Sequence, residues 1–196
     1  MSDTVTRGHG LLEPFLARKR AQQANRLIPA ECRQGRILDI GCGSYPYFLS
    51  HTSFTEKFAV DQLAPQTTVE DVRWHVLDLN HAPSLPFNNN FFSVVTLLAV
   101  IEHLDPAALQ VLFKEIYRVL IPSGRVILTT PAAWSDKLLK WMAGVKLVSA
   151  EEIHEHVFAY TLPLIGWYFG TAGFDMSRLS FGYFEMGLNL WAVAEK

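Results

Sequence analysis

Residues 36–44 read RILDIGCGS: a short apolar run that stops at a glycine-rich turn. Five residues of this kind, bounded by glycine, form a buried strand. Gly41 and Gly43 let the turn adopt unusual backbone angles and let a ligand approach the main chain closely. Asp39 stands just before the first glycine, so its carboxylate can reach a cationic ligand group. Pro46 favours a helix start, and amides at a helix N-terminus bind a carboxylate or a phosphate. The turn therefore has partners for both charges of an amino-acid-like ligand. A bland tight turn explains Gly-x-Gly equally well, so the rest of the chain has to decide.

Downstream, residues 57–60 read as a second strand ending at Asp61, and residues 74–77 as a third ending at Asp78. Residues 91–98 are apolar on both faces, which suits a parallel strand covered on both sides. Asp105-Pro106 starts a helix, and Leu109, Leu112, Phe113, Ile116, Val119 and Leu120 keep helical spacing. Pro122-Ser123-Gly124 is expected to end that helix in a turn, before a fifth strand over 125–130. Thr161 opens a later helix that Gly173 closes, and residues 175–184 and 189–194 read as a hairpin around Gly187. Upstream, residues 1–10 form a loose tail and residues 13–28 a helix with Pro14 in its first turn. Phe15, Leu16, Leu27 and Ile28 are expected to face inward. Arg18, Lys19, Arg20 and Arg26 form either a solvated basic face or a flap over an anionic or polar substrate.

This alternation predicts a doubly wound, mostly parallel α/β sheet with helices on both faces and one antiparallel strand near the end. The expected organisation is a tail and cap helix over 1–35 and a ligand-binding domain over 36–196. The length of 196 residues, 49 % of them apolar, suits one such unit. Lys plus Arg total 17 against 19 Asp plus Glu, a net charge of −2 that offers no basic field for a nucleic acid. Two cysteines, Cys32 and Cys42, read as reduced thiols in a cytoplasmic protein. The first ten residues lack the apolar core of a signal peptide. The longest apolar run, over 91–101, falls short of the roughly 20 residues that span a bilayer.

Two further strand ends strengthen the turn. Asp61 follows Gly43 by eighteen residues, where a carboxylate can take both hydroxyls of a ribose. Asp78-Leu79 offers a carboxylate and a backbone amide that can read an adenine edge. Three strand ends then line one crevice, the usual binding place in open α/β sheets. A dinucleotide fits poorly, because its third glycine would fall at position 46, which is proline, and Asp39 would sit beside a diphosphate.

Together ILDIGCGS (37–44), Asp61, LDLN (77–80), VVTLLAVIEHL (94–104), SGRVILTTP (123–131) and EHVFAYTLPLIGWYFGTAGF (155–174) resemble the motif series of class I S-adenosylmethionine-dependent methyltransferases of the type 11 kind. The resemblance implies a seven-stranded sheet of order 3-2-1-4-5-7-6 with strand 7 antiparallel. It implies S-adenosylmethionine as cofactor and S-adenosylhomocysteine as its product. Asp39, Gly41 and Gly43 would hold the methionine end, Asp61 the ribose, and Asp78 with Leu79 the adenine. Ile40, Cys42 and Gln62 complete that expected set; Leu97, Leu98 and Ala99 would flank the sulfonium, and His103 would lie near the mouth. Three positions depart from the pattern: Tyr45 replaces a common third glycine, Phe92-Ser93 replaces Phe-Asp, and Ala99 stands where a polar residue is common.

The expected reaction is in-line transfer of a methyl group to a small-molecule acceptor, apolar ones included, with catalysis mainly by alignment. Candidate bases are His103, His154 and His156, since histidine titrates near neutral pH. For the last two, a solvated charged loop (Glu151, Glu152, Glu155) is the plainer alternative, and no metal site is expected. Residues 136–148 read as pocket wall or an apolar lid, with Lys137, Lys140 and Lys146 suited to an anionic surface. Two other readings of the same fold stand beside this one: a non-catalytic cofactor-binding or assembly module, and an enzyme that uses decarboxylated cofactor on polyamines.

Overall fold

The computed structural model describes residues 13–66, 69–135 and 160–196, and their strands join in one sheet. The strands are β1 (Arg36–Ile40), β2 (Glu56–Asp61), β3 (Val72–Val76), β4 (Phe92–Leu98), β5 (Leu120–Pro131), β6 (Leu179–Phe184) and β7 (Asn189–Glu195). Their order is β3-β2-β1-β4-β5-β7-β6. The first five run parallel, and β7 lies antiparallel between β5 and β6. This is the sheet that the motif series implies. The described helices are α1 (Glu13–Leu27), α2 (Tyr47–Ser50), α3 (Pro106–Val119) and α4 (Leu162–Ala172).

Alternate residues of each central strand feed opposite cores, which is why β1 and β4 are apolar throughout. Leu38, Val95 and Leu128 meet the buried faces of α3 and α4 on one side. Ile37, Val94 and Ile127 meet α1 and α2 on the other. Helix α3 starts at Asp105-Pro106 as expected, although the Asp105 side chain makes no capping bond. Gly173 ends α4 in the left-handed conformation at φ 107°.

Three local expectations change. Phe15 is 53 % exposed, with the Lys19 ammonium 5.3 Å from its ring centre; Ala21 and Ala24 make the buried face of α1, while Leu27 and Ile28 pack inward as expected. Small residues let the helix backbone lie close to β4 and β5, so its large residues are pushed to the rim. After the glycine turn, Pro46 adopts φ −80° and ψ 67° while Tyr47 N donates to Tyr45 O at 2.8 Å. That is an inverse γ-turn, and α2 after it has only four residues, so the anion-binding helix terminus expected there has little dipole behind it. Finally, α3 passes directly into β5: Leu120 pairs with Phe92, and the turn at Pro122–Gly124 is a kink inside that strand, with Ser123 at φ 64°. Ser93, one of the departures, lies 2.8 Å from Cys32 O and 2.9 Å from Arg36 O, and ties the start of β4 to the turn before β1.

Candidate functional site

The C-terminal ends of β1 to β5 converge on one edge of the sheet. In the turn after β1, Gly41 and Gly43 have φ 72° and 73°, a region that L-residues with side chains seldom occupy. The two glycines do different work. Gly41 N donates to Val60 O at 2.7 Å, and a Cβ on Gly41 would lie 2.5 Å from Val100 Cγ2. Its smallness lets the loop after β4 close down on the turn. A Cβ on Gly43 would meet nothing within 4 Å, so that side of the turn is open.

Asp61, at the end of β2, is buried and holds this turn in place. Its Oδ2 accepts from Gly43 N at 2.8 Å and its Oδ1 accepts from Leu63 N at 2.9 Å. Asp39 is 3 % exposed and accepts from Thr96 Oγ1 at 2.6 Å. Burial pushes its carboxyl up to about 7, the Asp61 charge adds to the rise, and the Thr96 bond opposes it.

At the end of β3, Asp78 is exposed and accepts from Asn80 N at 3.0 Å, with His81 Nδ1 at 2.8 Å. The His81 bond, then the Asn80 amide, holds its carboxyl below the usual range. Leu79 is buried beside it. Asn80 links this loop to the next: its Nδ2 donates to His103 O at 3.3 Å, and its Oδ1 accepts from Asp105 N at 2.9 Å. After β4, Ala99 takes φ 59° and donates its amide to Thr129 O at 2.9 Å. The chain then makes one tight helical turn, Ile101–His103, which leaves His103 half-buried.

Next to this turn lies a group that sequence reasoning passed over. Glu102 is 2 % exposed, and its Oε2 accepts from Thr130 Oγ1 at 2.9 Å. Among the described residues its Oε1 is buried without a hydrogen-bond partner, as is the hydroxyl of Tyr160, which is 1 % exposed. Burial raises the Tyr160 phenol above its ordinary value, with smaller contributions from Tyr168 and Glu102. The Glu-His pair of the motif was visible in sequence, but only the histidine was weighed as a base. Tyr160 gave no local signal, and Thr96 appeared only as a polar interruption of an apolar strand.

The structure thus brings Asp39, Ile40, Gly41, Cys42, Gly43, Asp61 and Gln62 to the ends of β1 and β2, and Asp78 and Leu79 to the end of β3. Leu97, Leu98, Ala99 and His103 follow at the end of β4. His154, His156 and the 136–148 segment lie outside the described residues. Among the described residues no group of three His, Cys, Asp or Glu side chains is arranged to hold a metal ion. No described helix is long and apolar enough to cross a membrane.

Comparison with known proteins agrees with this arrangement. The family profile described as "Methyltransferase domain" matches residues 12–179. The malonyl-[acyl-carrier protein] O-methyltransferase of Alcanivorax borkumensis is 26 % identical over 149 residues, covering 65 % of this chain and 44 % of that protein. The chain therefore spans less than half the length of that relative. A SAM-dependent methyltransferase from Archaeoglobus fulgidus superposes with a TM-score of 0.68 at 15 % identity, covering 91 % of this chain and 94 % of its own. The phosphoethanolamine N-methyltransferase 2 of Haemonchus contortus, in complex with phosphomonomethylethanolamine and S-adenosylhomocysteine, superposes at 0.64 and 17 % identity. It covers 91 % of this chain and 53 % of its own.

Proposed function

The chain belongs to the methyltransferase-domain family, and from that premise we propose that it transfers the methyl group of S-adenosylmethionine to a small-molecule acceptor. The observation that carries this reading is the open side of Gly43, enclosed by two buried carboxylates, Asp39 and Asp61. The residues fit the cofactor. A side chain at position 43 would fill the space that a ligand needs. Asp39 is a buried carboxylate with one short hydrogen bond, suited to an ammonium group. Asp61 is a carboxylate at the end of β2, the group type that accepts from ribose hydroxyls, and Asp78 with Leu79 provides an acceptor and a main-chain amide for an adenine.

When bound, the cofactor supplies an already activated methyl on a sulfonium whose leaving thioether is neutral. The chain's task is then to bind, orient and exclude water. Asp61 fixes the turn after β1 against the end of β2, so both arms of the cradle move as one body. Asn80 couples the adenine loop to the loop that carries His103. Leu97, Leu98 and Ala99 offer a mostly apolar wall where the methyl would face the acceptor. Holding two reactants in such alignment lowers a barrier by roughly 7–11 kcal/mol. A small acceptor is favoured because the net charge of −2 provides no extended basic surface for a polyanion.

Isotope-labelled methyl from the cofactor, incubated with a small-metabolite extract, tests the activity. Transfer of label to a product with release of S-adenosylhomocysteine is expected. Cofactor binding without any labelled product would instead make the chain a non-catalytic binding module.

A further inference from the structure

The geometry points to Glu102 and Tyr160 as the acceptor-binding end of the site, with Glu102 receiving the proton of a hydroxyl or amine acceptor. This rests on the cofactor reading above and adds the class of acceptor.

Three separate elements build the cluster. Glu102 lies in the tight turn after β4, Thr130 near the end of β5, and Tyr160 just ahead of α4. Glu102 and Thr130 follow the C-terminal ends of β4 and β5, and Tyr160 lies close enough to Glu102 to feel its charge. The Thr130 hydroxyl holds one carboxylate oxygen of Glu102 at 2.9 Å and so fixes the plane of the group. Among the described residues, the other oxygen and the Tyr160 hydroxyl are buried with no partner. An unsatisfied buried polar group costs about 1–3 kcal/mol, and native proteins keep few of them. Two in one cluster, at the end of the sheet where the ligand binds, are explained when a ligand supplies the missing partners.

The chemistry of the two groups selects that ligand. An ionised carboxylate only accepts hydrogen bonds, so the acceptor must donate one. The phenol, kept protonated by its burial, donates in turn to a lone pair of the acceptor. A hydroxyl meets both demands and keeps a second lone pair to attack; an amine meets the first through its N–H and keeps its single lone pair for the methyl carbon. An acceptor that is already an anion, such as a carboxylate or a thiolate, has no proton to give and is repelled by Glu102. In the transfer, the oxygen–hydrogen or nitrogen–hydrogen bond of the acceptor breaks and its proton goes to Glu102 Oε1. The electron pair left on the acceptor forms the new bond to the methyl carbon. The carbon–sulfur bond breaks with its pair going to sulfur, which becomes a neutral thioether.

The test offers labelled cofactor to four acceptor panels: alcohols and phenols, amines, carboxylic acids, and thiols. Label is expected in alkali-stable ethers or N-methyl products. Glu102→Gln is expected to lower kcat/KM by about 100-fold or more. Its affinity for S-adenosylhomocysteine, measured by calorimetry, should stay within about threefold of wild type. Tyr160→Phe, which keeps the ring, is expected to raise the KM for the acceptor about tenfold and serves if Glu102→Gln does not fold. Label released by alkali as methanol marks a carboxyl ester and overturns the proposal. So does label confined to thioethers, or full turnover by Glu102→Gln. Binding of S-adenosylhomocysteine with no product from alcohols or amines overturns it while the cofactor reading stands. Absence of binding overturns both.

Discussion

The two halves of the sheet edge differ in how fully their buried polar groups are satisfied. At the ends of β1, β2 and β3, each key carboxylate is held by the fold itself. Asp39 is bonded by Thr96, Asp61 by the amides of Gly43 and Leu63, and Asp78 by Asn80 and His81. At the ends of β4 and β5, Glu102 Oε1, Thr129 Oγ1 and the Tyr160 hydroxyl are buried without partners among the described residues. The first half is built in advance, as an invariant ligand demands. The second leaves polar groups open, as a region chosen by the acceptor demands. Preorganised groups position a ligand without further ordering cost, whereas open ones decide which ligand is accepted.

The comparison breaks most visibly at Asp61. Asp61→Ala removes the acceptor for two amides at once, and each buried donor left unsatisfied costs about 1–3 kcal/mol. Loss of S-adenosylhomocysteine binding by about 100-fold or more is expected in calorimetry, with a lowered melting temperature.

Asp39 sharpens it through pH. Its folded pKa, about 7, lies above the ordinary 3.8, so the folded chain holds the proton more tightly than the unfolded chain. This group therefore withdraws stability as pH rises from 3.8 to about 7, and the loss is complete above that. The ceiling is roughly 4 kcal/mol at about 1.4 kcal/mol per unit. In thermal melts between pH 5 and 8, Asp39→Asn should flatten this slope; an unchanged slope would remove Asp39 as its source. Ligand binding below pH 7 should release a proton, seen as a buffer-dependent heat.

The two glycines separate folding from binding. Gly41→Ala forces a Cβ to 2.5 Å from Val100 Cγ2 at φ 72° and should cost about 2–3 kcal/mol of stability. Gly43→Ala carries only the backbone strain, about 1 kcal/mol, and should instead weaken S-adenosylhomocysteine binding about tenfold. Equal loss of stability in both would deny that Gly43 faces ligand space. The smallest effect is expected at Asn80→Ala, about 1 kcal/mol. It should appear as faster amide exchange in both joined loops, those of Asp78 and His103, with the β1 turn unchanged.

The alternation of strands and helices was readable from the apolar runs of β1, β2 and β4, whereas the order of the strands came only with the resemblance of the motif series. Asp39 and Asp61 were readable because each is a charged residue near the end of a buried strand; Asp78 was readable only from its place after the third strand. The seating of α1 was not, because Ala21 and Ala24 give no strong apolar signal and act only through close approach. The shortness of α2 follows from the γ-turn at Pro46, whose ring is compatible with either a helix start or a turn. Glu102, Thr130 and Tyr160 are remote in sequence, and only the meeting of β4, β5 and α4 makes them one group.

A crystal structure with S-adenosylhomocysteine bound tests the central claim most directly. The account predicts ribose hydroxyls on Asp61, the amino-acid portion over the open side of Gly43 near Asp39, and adenine beside Asp78 and Leu79. The sulfur should face the loop that leads from Ala99 to Glu102. A ligand seated away from Gly43 and Asp61, or crystals that stay empty at saturating ligand, would contradict it.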